Sequence, residues 1–400
     1  MTHYIVVGLG FGDEGKGAVV DRLCGSGSVH TVVRYNGGCQ AAHNVITPDG
    51  RHHTFAQFGA GSFNPGVKTL LSRYMYVEPF SLLKEAKHLM SIGEKDILTR
   101  IYIDGEAPLT TPYHWIANKH RNNNNDQSCG RGIGETTEYL LEHPDAAPRI
   151  WDVYNPTLLE EKLEILRDWA KKRVPVDESW VDYPPHKLVD TYAGILRGMV
   201  VPNSFLNELL IDGDVVFEGA QGVLLDEDWG FHPYNSWTNT TTANAETLLM
   251  ECNSSAIKLG VLRTYMTRHG AGPFITESFI SSMPDEVHNK AWEWQGRWRI
   301  GYPDFVANEY ALRAVGGVDE LILTHMDKQH LIDRACLYYI VNNEDWDVIP
   351  DKADLGGVLT SQLMNANPHY VHYKDSIADV FEDHLGVSCR PFFLEDSVAV

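Results

Sequence analysis

Residues 4–23 constrain the fold more tightly than any other stretch. The apolar run Tyr4-Ile5-Val6-Val7 leads into Gly8-Leu9-Gly10-Phe11-Gly12-Asp13-Glu14-Gly15-Lys16-Gly17, and Ala18-Val19-Val20-Asp21-Arg22-Leu23 follows. An uninterrupted β-branched run reads as a strand covered on both faces, and the residues after the glycines can continue as a helix. Strand, glycine-rich turn, lysine and helix together turn backbone N–H groups and a helix N-terminus toward phosphate. Gly10 to Lys16 keeps the phosphate-loop spacing. The next position should offer a hydroxyl to magnesium, yet it is Gly17, and a carboxylate, Asp13, stands inside the loop. A plain tight turn is the alternative reading of any glycine cluster. The Asp-Glu-Gly-Lys order favours phosphate binding with an unusual arrangement of metal and proton.

Five further apolar runs have strand character: Val32-Val33, Thr69 to Leu71, Val215 to Phe217, Ile257 to Leu262 and Leu321 to Leu323. Between some of them lie amphipathic stretches, the best being Thr157 to Arg173. There Asn155-Pro156 supplies a cap and a first-turn proline, Leu159, Leu163, Leu166 and Ala170 share one face, and Lys171-Lys172-Arg173 suits a helix C-terminus. Strands alternating with helices predict an α/β fold, a mostly parallel central sheet covered on both faces. No internal repeat or interdomain linker interrupts the chain, so residues 1–400 are expected to form a single large domain.

Bulk properties remove several function classes. A formal net charge of −21 argues against non-specific nucleic-acid binding and against anionic membrane surfaces. It leaves room for small anionic substrates, since a local basic cluster suffices. The six cysteines (Cys24, Cys39, Cys129, Cys252, Cys336, Cys389) have no C-x-x-C spacing, which fits reduced thiols. No leader pattern and no bilayer-length apolar run is present, so a cytoplasmic location is expected.

Five other blocks carry polar chemistry. Arg34-Tyr35-Asn36-Gly37-Gly38 precedes Gln40-Ala41-Ala42-His43-Asn44, where His43 could protonate or stabilise a developing oxyanion. A lone histidine is more often structural. Phe217-Glu218-Gly219-Ala220-Gln221-Gly222 ends a strand in a turn whose amide, Gln221, offers the donor and acceptor that a purine edge requires. Ser236-Trp237-Thr238-Asn239-Thr240-Thr241-Thr242 supplies hydroxyls for a phosphate or for a helix cap. Thr267-Arg268-His269-Gly270-Ala271-Gly272-Pro273-Phe274 is followed by Gln295-Gly296-Arg297-Trp298-Arg299, whose two arginines suit a carboxylate clamp. Finally, Leu323-Thr324-His325-Met326-Asp327 sets an acid just past a strand, where a carboxylate could accept hydrogen bonds from guanine. The asparagine-rich segment 122–127 reads either as a solvated loop tip or as a substrate-site loop.

In this order the blocks resemble adenylosuccinate synthetase, a family that joins L-aspartate to C6 of IMP using GTP and magnesium. The likeness rests on Gly12-Asp13-Glu14-Gly15-Lys16-Gly17, Val33-Arg34-Tyr35-Asn36-Gly37-Gly38, Gly130-Arg131-Gly132-Ile133-Gly134, Phe217 to Gly222 and Gly270-Ala271-Gly272-Pro273-Phe274. It implies a homodimeric α/β enzyme with small-molecule substrates. It further implies Asp13 as the base at purine N1, His43 as the acid assisting phosphoryl transfer to O6, and Gln221 on the purine edge. Gly12, Glu14, Gly15, Lys16 and Gly17 would cradle the donor phosphates, with His325 and Asp327 at the donor base. Gln40, Ser128, Cys129, Gln221, Ser236 and Arg149 would hold the purine monophosphate, and Gln295, Arg297 and Arg299 the aspartate. The arginine that the partner subunit lends to the substrate phosphate has no clear match: ungapped counting places His143 there, and a small gap brings Arg149 near. Mg2+ would take Asp13 and the carbonyl of Ala42.

The chain also departs from that family's pattern. His325 replaces a lysine before the guanine-reading acid, and the C-terminal loop that closes over guanine is absent. Ser128-Cys129 replaces a threonine pair, Trp294-Gln295 replaces Thr-Thr, and Gln40 replaces an asparagine. These changes resemble the bacteriophage branch that makes 2-aminoadenylosuccinate from dGMP, for which ATP or dATP would be the donor and host cytoplasm the location. Retained Asp13 points toward IMP. A nucleotide-binding regulator that lost its chemistry is the remote alternative, against which Asp13, Lys16, His43 and Gln221 all count.

Overall fold

The structure is a computed structural model and describes residues 1–121, 130–174, 182–280, 283–284, 296–350 and 357–393. Among these, nine strands form one sheet in which every pairing is parallel. From one edge to the other they run Cys389–Pro391, Glu320–Thr324, Ala256–Arg263, His3–Gly8, Asp214–Glu218, Val29–Arg34, Lys68–Leu71, Ile101–Asp104 and Val200–Val201. All six apolar runs of the sequence are strands of this sheet. Three short edge or near-edge strands, Ile101–Asp104, Val200–Val201 and Cys389–Pro391, lie outside the apolar runs read from the sequence.

Two-faced burial accounts for the continuous apolar runs. Ile5, Val33, Val215 and Phe217 point to one face and pack with Leu206, Leu209, Leu210, Leu248 and Leu249. Val6, Val32 and Val216, one step out of phase, point to the other and pack with Val19 and Val20 of the helix Lys16–Gly25. This alternation is the period-two geometry of a strand. Each fully buried Val, Ile, Leu or Phe contributes roughly 1.5–3 kcal/mol by leaving water.

The helix Pro156–Arg173 starts where the sequence places it, with Asn155 Oδ1 accepting from the Leu158 N–H at 3.3 Å. Leu159, Leu163, Leu166 and Ala170 are fully buried along it. Among the described residues no helix is long and apolar enough to cross a membrane. Cys24, Cys39, Cys252, Cys336 and Cys389 form no disulfide among the described residues.

The register fixes where a site can form. Gly8 aligns with Val261, Val6 and Arg34 with Glu218, and Thr324 with Arg263, so five strands end along one edge. In open parallel sheets the ligand crevice lies outside the carboxyl ends of the strands, where the order of strands reverses. Here that point is the central strand His3–Gly8.

Candidate active site

The loop after His3–Gly8 is tied down from within. Glu14 is buried, and its Oε1 accepts from the N–H groups of Gly10 (3.1 Å) and Gly12 (2.7 Å). Its Oε2 meets Lys16 Nζ at 2.5 Å. Thr324 Oγ1 donates to the Glu14 carbonyl at 2.6 Å, joining this loop to the strand that precedes His325. Of the loop residues expected to touch the donor, Glu14 therefore turns its carboxylate inward, occupying the N–H groups and the lysine that a phosphate would use. The glycine that follows Lys16 has a steric cause. A Cβ at Gly17 would lie 2.8 Å from His43 Cβ, so the helix can start beneath the histidine only without a side chain there.

Asp13, Gln221 and His325 share a backbone peculiarity. Asparagines aside, they are the non-glycine residues with positive φ among the described residues, at 62°, 60° and 57°. Such conformations are costly and cluster at ligand-binding sites. All three lie in loops that follow strands at the same sheet edge. Asp13 is held by Arg263, whose Nε donates to the Asp13 carbonyl at 2.5 Å, and His269 Nε2 lies 3.5 Å from Asp13 Oδ2. Gln221 presents a buried Oε1 that has no hydrogen-bond partner, and Gln40 Oε1 is in the same condition. Two unsatisfied amide oxygens are what a site for a polar ligand leaves behind when the ligand is away.

His43 opens the strand His43–Ile46, which pairs antiparallel with His52–Phe55. Its Nδ1 lies 2.6 Å from Glu218 Oε1, and Glu218 Oε2 accepts from the Ala60 N–H at 3.0 Å with Arg34 Nε at 3.9 Å. Burial pushes the imidazole below its ordinary pKa; Glu218 opposes this, while Arg34 and Lys16 add to it. Burial alone would raise Glu218, but Arg34, His43 and the Ala60 amide outweigh it and hold the carboxyl below its usual range.

Asn36 ties its own block to the turn Phe217–Gly222 and to the segment Ser236–Thr242, accepting from the Ala220 N–H at 2.7 Å and donating to the Asn239 carbonyl at 3.0 Å. Beside it lies a cavity of about 480 Å³ whose lining includes Asn36, Gly37, Arg73, Arg149, Thr238 and Asn239. Arg149 reaches this cavity within its own chain. Thr238 and Asn239 line this cavity and Ser236 does not, although its hydroxyl oxygen lies 3.0 Å from that of Thr238.

Arg297 and Arg299 converge as a clamp, and both already grip a carboxylate. Arg297 Nη2 donates to Glu277 Oε1 at 2.7 Å and Arg299 Nη2 to Glu277 Oε2 at 2.6 Å. At the other flank Asp327 is exposed and pairs with Lys328 at 2.7 Å, and Thr324 Oγ1 lies 3.0 Å from His325 Nδ1. Ser128, Cys129 and Gln295, together with segment 122–127, fall outside the described residues. Glu218, Arg263, His269 and Glu277 were given no role by the sequence reading. Glu218 and His269 lie in the quoted blocks and Arg263 and Glu277 just outside them, but nothing local shows which side chain faces which.

The donor set suits Mg2+, which binds through one or two oxygen ligands with water and substrate phosphate completing its shell. Asp13 offers a part-exposed carboxylate at the phosphate loop, and Ala42 lies on exposed backbone beside His43. Among the described residues no three His, Cys, Asp or Glu side chains converge on a metal position, so an ion here would depend on substrate oxygens.

Comparison with known proteins agrees with this geometry. The family description for adenylosuccinate synthetase matches residues 5–374, beyond the point near Asp327 where the motif likeness fades. The adenylosuccinate synthetase of Chlorobium chlorochromatii is 31% identical over 372 residues, covering 86% of this chain and 82% of that protein. That of Mycolicibacterium vanbaalenii is 30% identical over 414 residues, covering 98% and 90%. In fold, the chain is similar to fully ligated adenylosuccinate synthetase from Plasmodium falciparum, with a TM-score of 0.79, 20% identity and coverage of 98% and 96%. It is also similar to the succinoaminodeoxyadenylate synthetase of cyanophage S-2L, solved with dGMP and with dATP as an energy donor, at a TM-score of 0.58, 16% identity and coverage of 91% and 98%. A chain with this sheet, these strand-end loops and relatives of this extent belongs to the adenylosuccinate synthetase family of carbon–nitrogen ligases.

Proposed function

We propose that this protein condenses L-aspartate with C6 of IMP through a 6-phosphoryl intermediate, driven by a purine nucleoside triphosphate. The observation that carries the reading is the gathering of Asp13, Lys16, His43 and Gln221 at the carboxyl ends of adjacent parallel strands. Asp13 takes the N1 proton, which makes O6 nucleophilic. O6 then attacks the terminal phosphorus of the donor, the phosphoanhydride P–O bond breaks, and the nucleoside diphosphate leaves. His43, in its protonated form, donates a hydrogen bond to an oxygen of the transferring group, and Gln221 fixes the purine edge with its buried amide oxygen. The amine of aspartate displaces phosphate from C6 and loses a proton. Arg297 and Arg299 hold its carboxylate, with Glu277 giving way to the substrate. Lys16 must likewise leave Glu14 to reach the donor phosphates. Mg2+, held by Asp13 and Ala42 with the donor's oxygens, would neutralise charge on the transferring phosphoryl group. Positioning and charge neutralisation supply most of the rate enhancement in such transfers. The working assembly in this reading is a homodimer.

A second reading has its own observation. Asp327 is exposed and paired with Lys328, and His325 stands two residues before it in place of the lysine of the family pattern. An adenine donor, with dGMP as acceptor, is the corresponding alternative. Phosphate release with Mg2+, with and without aspartate, across IMP, GMP and dGMP against GTP, ATP and dATP separates the two. Aspartate-dependent turnover with IMP supports the first reading, and turnover only with dGMP and an adenine donor replaces it. Release that ignores aspartate overturns both.

A further inference from the structure

Glu218 is fully buried at the end of the strand Asp214–Glu218, three residues before Gln221, and the reaction outlined above gives it no task. Its neighbours nevertheless define its state. Oε2 accepts from the Ala60 N–H and faces Arg34, and Oε1 lies 2.6 Å from His43 Nδ1. Arg34 is the more distant partner, acting through its charge: its Nε stands 3.9 Å away, while its Nη1 donates to the carbonyls of Ala56 and Phe58 at 3.0 and 3.3 Å. A carboxylate can only accept hydrogen bonds, so the nitrogen facing it must carry the hydrogen. The two nitrogens of an imidazole are thus made unequal by one contact.

We propose that Glu218 is the positioning residue of His43, fixing the ring and assigning its hydrogen to Nδ1, so that Nε2 is the nitrogen left for the reactants. This rests on His43 acting at the transferring phosphoryl group. A negative charge 2.6 Å from the ring also favours the positive charge that the ring gains when Nε2 shares a proton, as in other carboxylate–histidine pairs. Glu218→Gln makes the assignment testable. The amide oxygen is expected to keep the end facing the Ala60 N–H and Arg34, which turns the NH2 group toward Nδ1. That nitrogen must then accept, and the hydrogen moves to Nε2.

The first measurement needs no substrate. In the full-length protein labelled with 15N-histidine, with the His43 signals identified by their loss in His43→Asn, the wild type is expected to show a protonated Nδ1. Glu218→Gln is expected to show the Nε2–H tautomer. A wild-type ring found neutral with hydrogen on Nε2 overturns the proposal, whether or not the variant folds and whichever substrates the enzyme takes. The second measurement is kinetic. Glu218→Gln is expected to lower kcat by about 100-fold, the scale of a misplaced reacting group, with KM for each substrate little changed. In a His43→Asn background the same substitution should cost almost nothing more. A full loss there would mean that Glu218 acts on the fold rather than through His43, and would also overturn the proposal.

Discussion

At position 17 a hydroxyl is missing because there is no room for one. The Cβ of any side chain would meet His43 at 2.8 Å, so the loop gives up the hydroxyl of ordinary phosphate loops and keeps the histidine close. Gly17→Ser is therefore expected to displace His43, to cost about 1–3 kcal/mol in urea unfolding as overpacked sites do, and to lower turnover. Asp13→Ala is expected to abolish aspartate-dependent phosphate release while circular dichroism and the melting temperature stay near wild type, since its side chain is part-exposed. Activity near wild type in that variant would remove Asp13 from the chemistry. His43→Asn should slow turnover by about two to four orders of magnitude, the usual contribution of a general acid–base group. Asp13, Lys16, His43 and Gln221 were legible as residue types in motifs. Their partners were not, because Glu218, Arg263 and His269 reach them from segments more than 170 positions away for His43 and 250 for Asp13.

Helices and strands show the same division. The helix Pro156–Arg173 was readable because its cap, first-turn proline and apolar stripe are all local. The helix Phe305–Ala314 is capped by Asp304, whose Oδ1 accepts from the Ala307 N–H at 3.1 Å and whose two oxygens each lie 2.8 Å from the Tyr339 hydroxyl. Tyr339 is contributed by a distant strand, and the cap is buried with it. Burial raises the Asp304 carboxyl to about 6, against the stabilising amide and hydroxyl bonds. Between pH about 4 and 6 the folded chain thus holds a proton that the unfolded chain has lost, and this group withdraws stability as pH rises through that window. Asp304→Asn keeps a capping oxygen and cannot ionise. Relative to wild type, its stability in thermal melts should improve as pH goes from 4 to 6 and level off above; a constant difference would contradict the assignment.

The whole molecule brings five strand ends to one edge of a sheet and leaves ligand-shaped consequences there: two unsatisfied glutamine oxygens, a lysine held by Glu14 and an arginine pair held by Glu277. In the proposed reading, two internal carboxylates, Glu14 and Glu277, hold the lysine and the arginine pair assigned to donor phosphate and aspartate. A ligand that binds the folded state alone raises stability by about 2.7 kcal/mol at 100 times its dissociation constant. The acceptor nucleotide that this enzyme uses should therefore raise the melting temperature at concentrations where the other candidates do not. Equal shifts with IMP and dGMP would mean that the site does not discriminate by the 2-amino group or the ribose hydroxyl. Sedimentation velocity at micromolar concentration is expected to give a dimer of the 45.0 kDa chain.

By itself the sequence determined the sheet's six apolar strands, the phosphate-loop turn and the family, because continuous β-branched runs, glycines before a lysine and their order along the chain are local properties. It also held the chemistry-bearing residue types in recognisable blocks. Only the tertiary structure decided that all nine strands run parallel, that Glu14 turns inward, that His43 is held by Glu218, and that Thr238 rather than Ser236 walls the cavity. Those outcomes depend on which strand ends become neighbours, and strand order in a parallel sheet is set by crossovers that bury apolar faces over the full length of the chain.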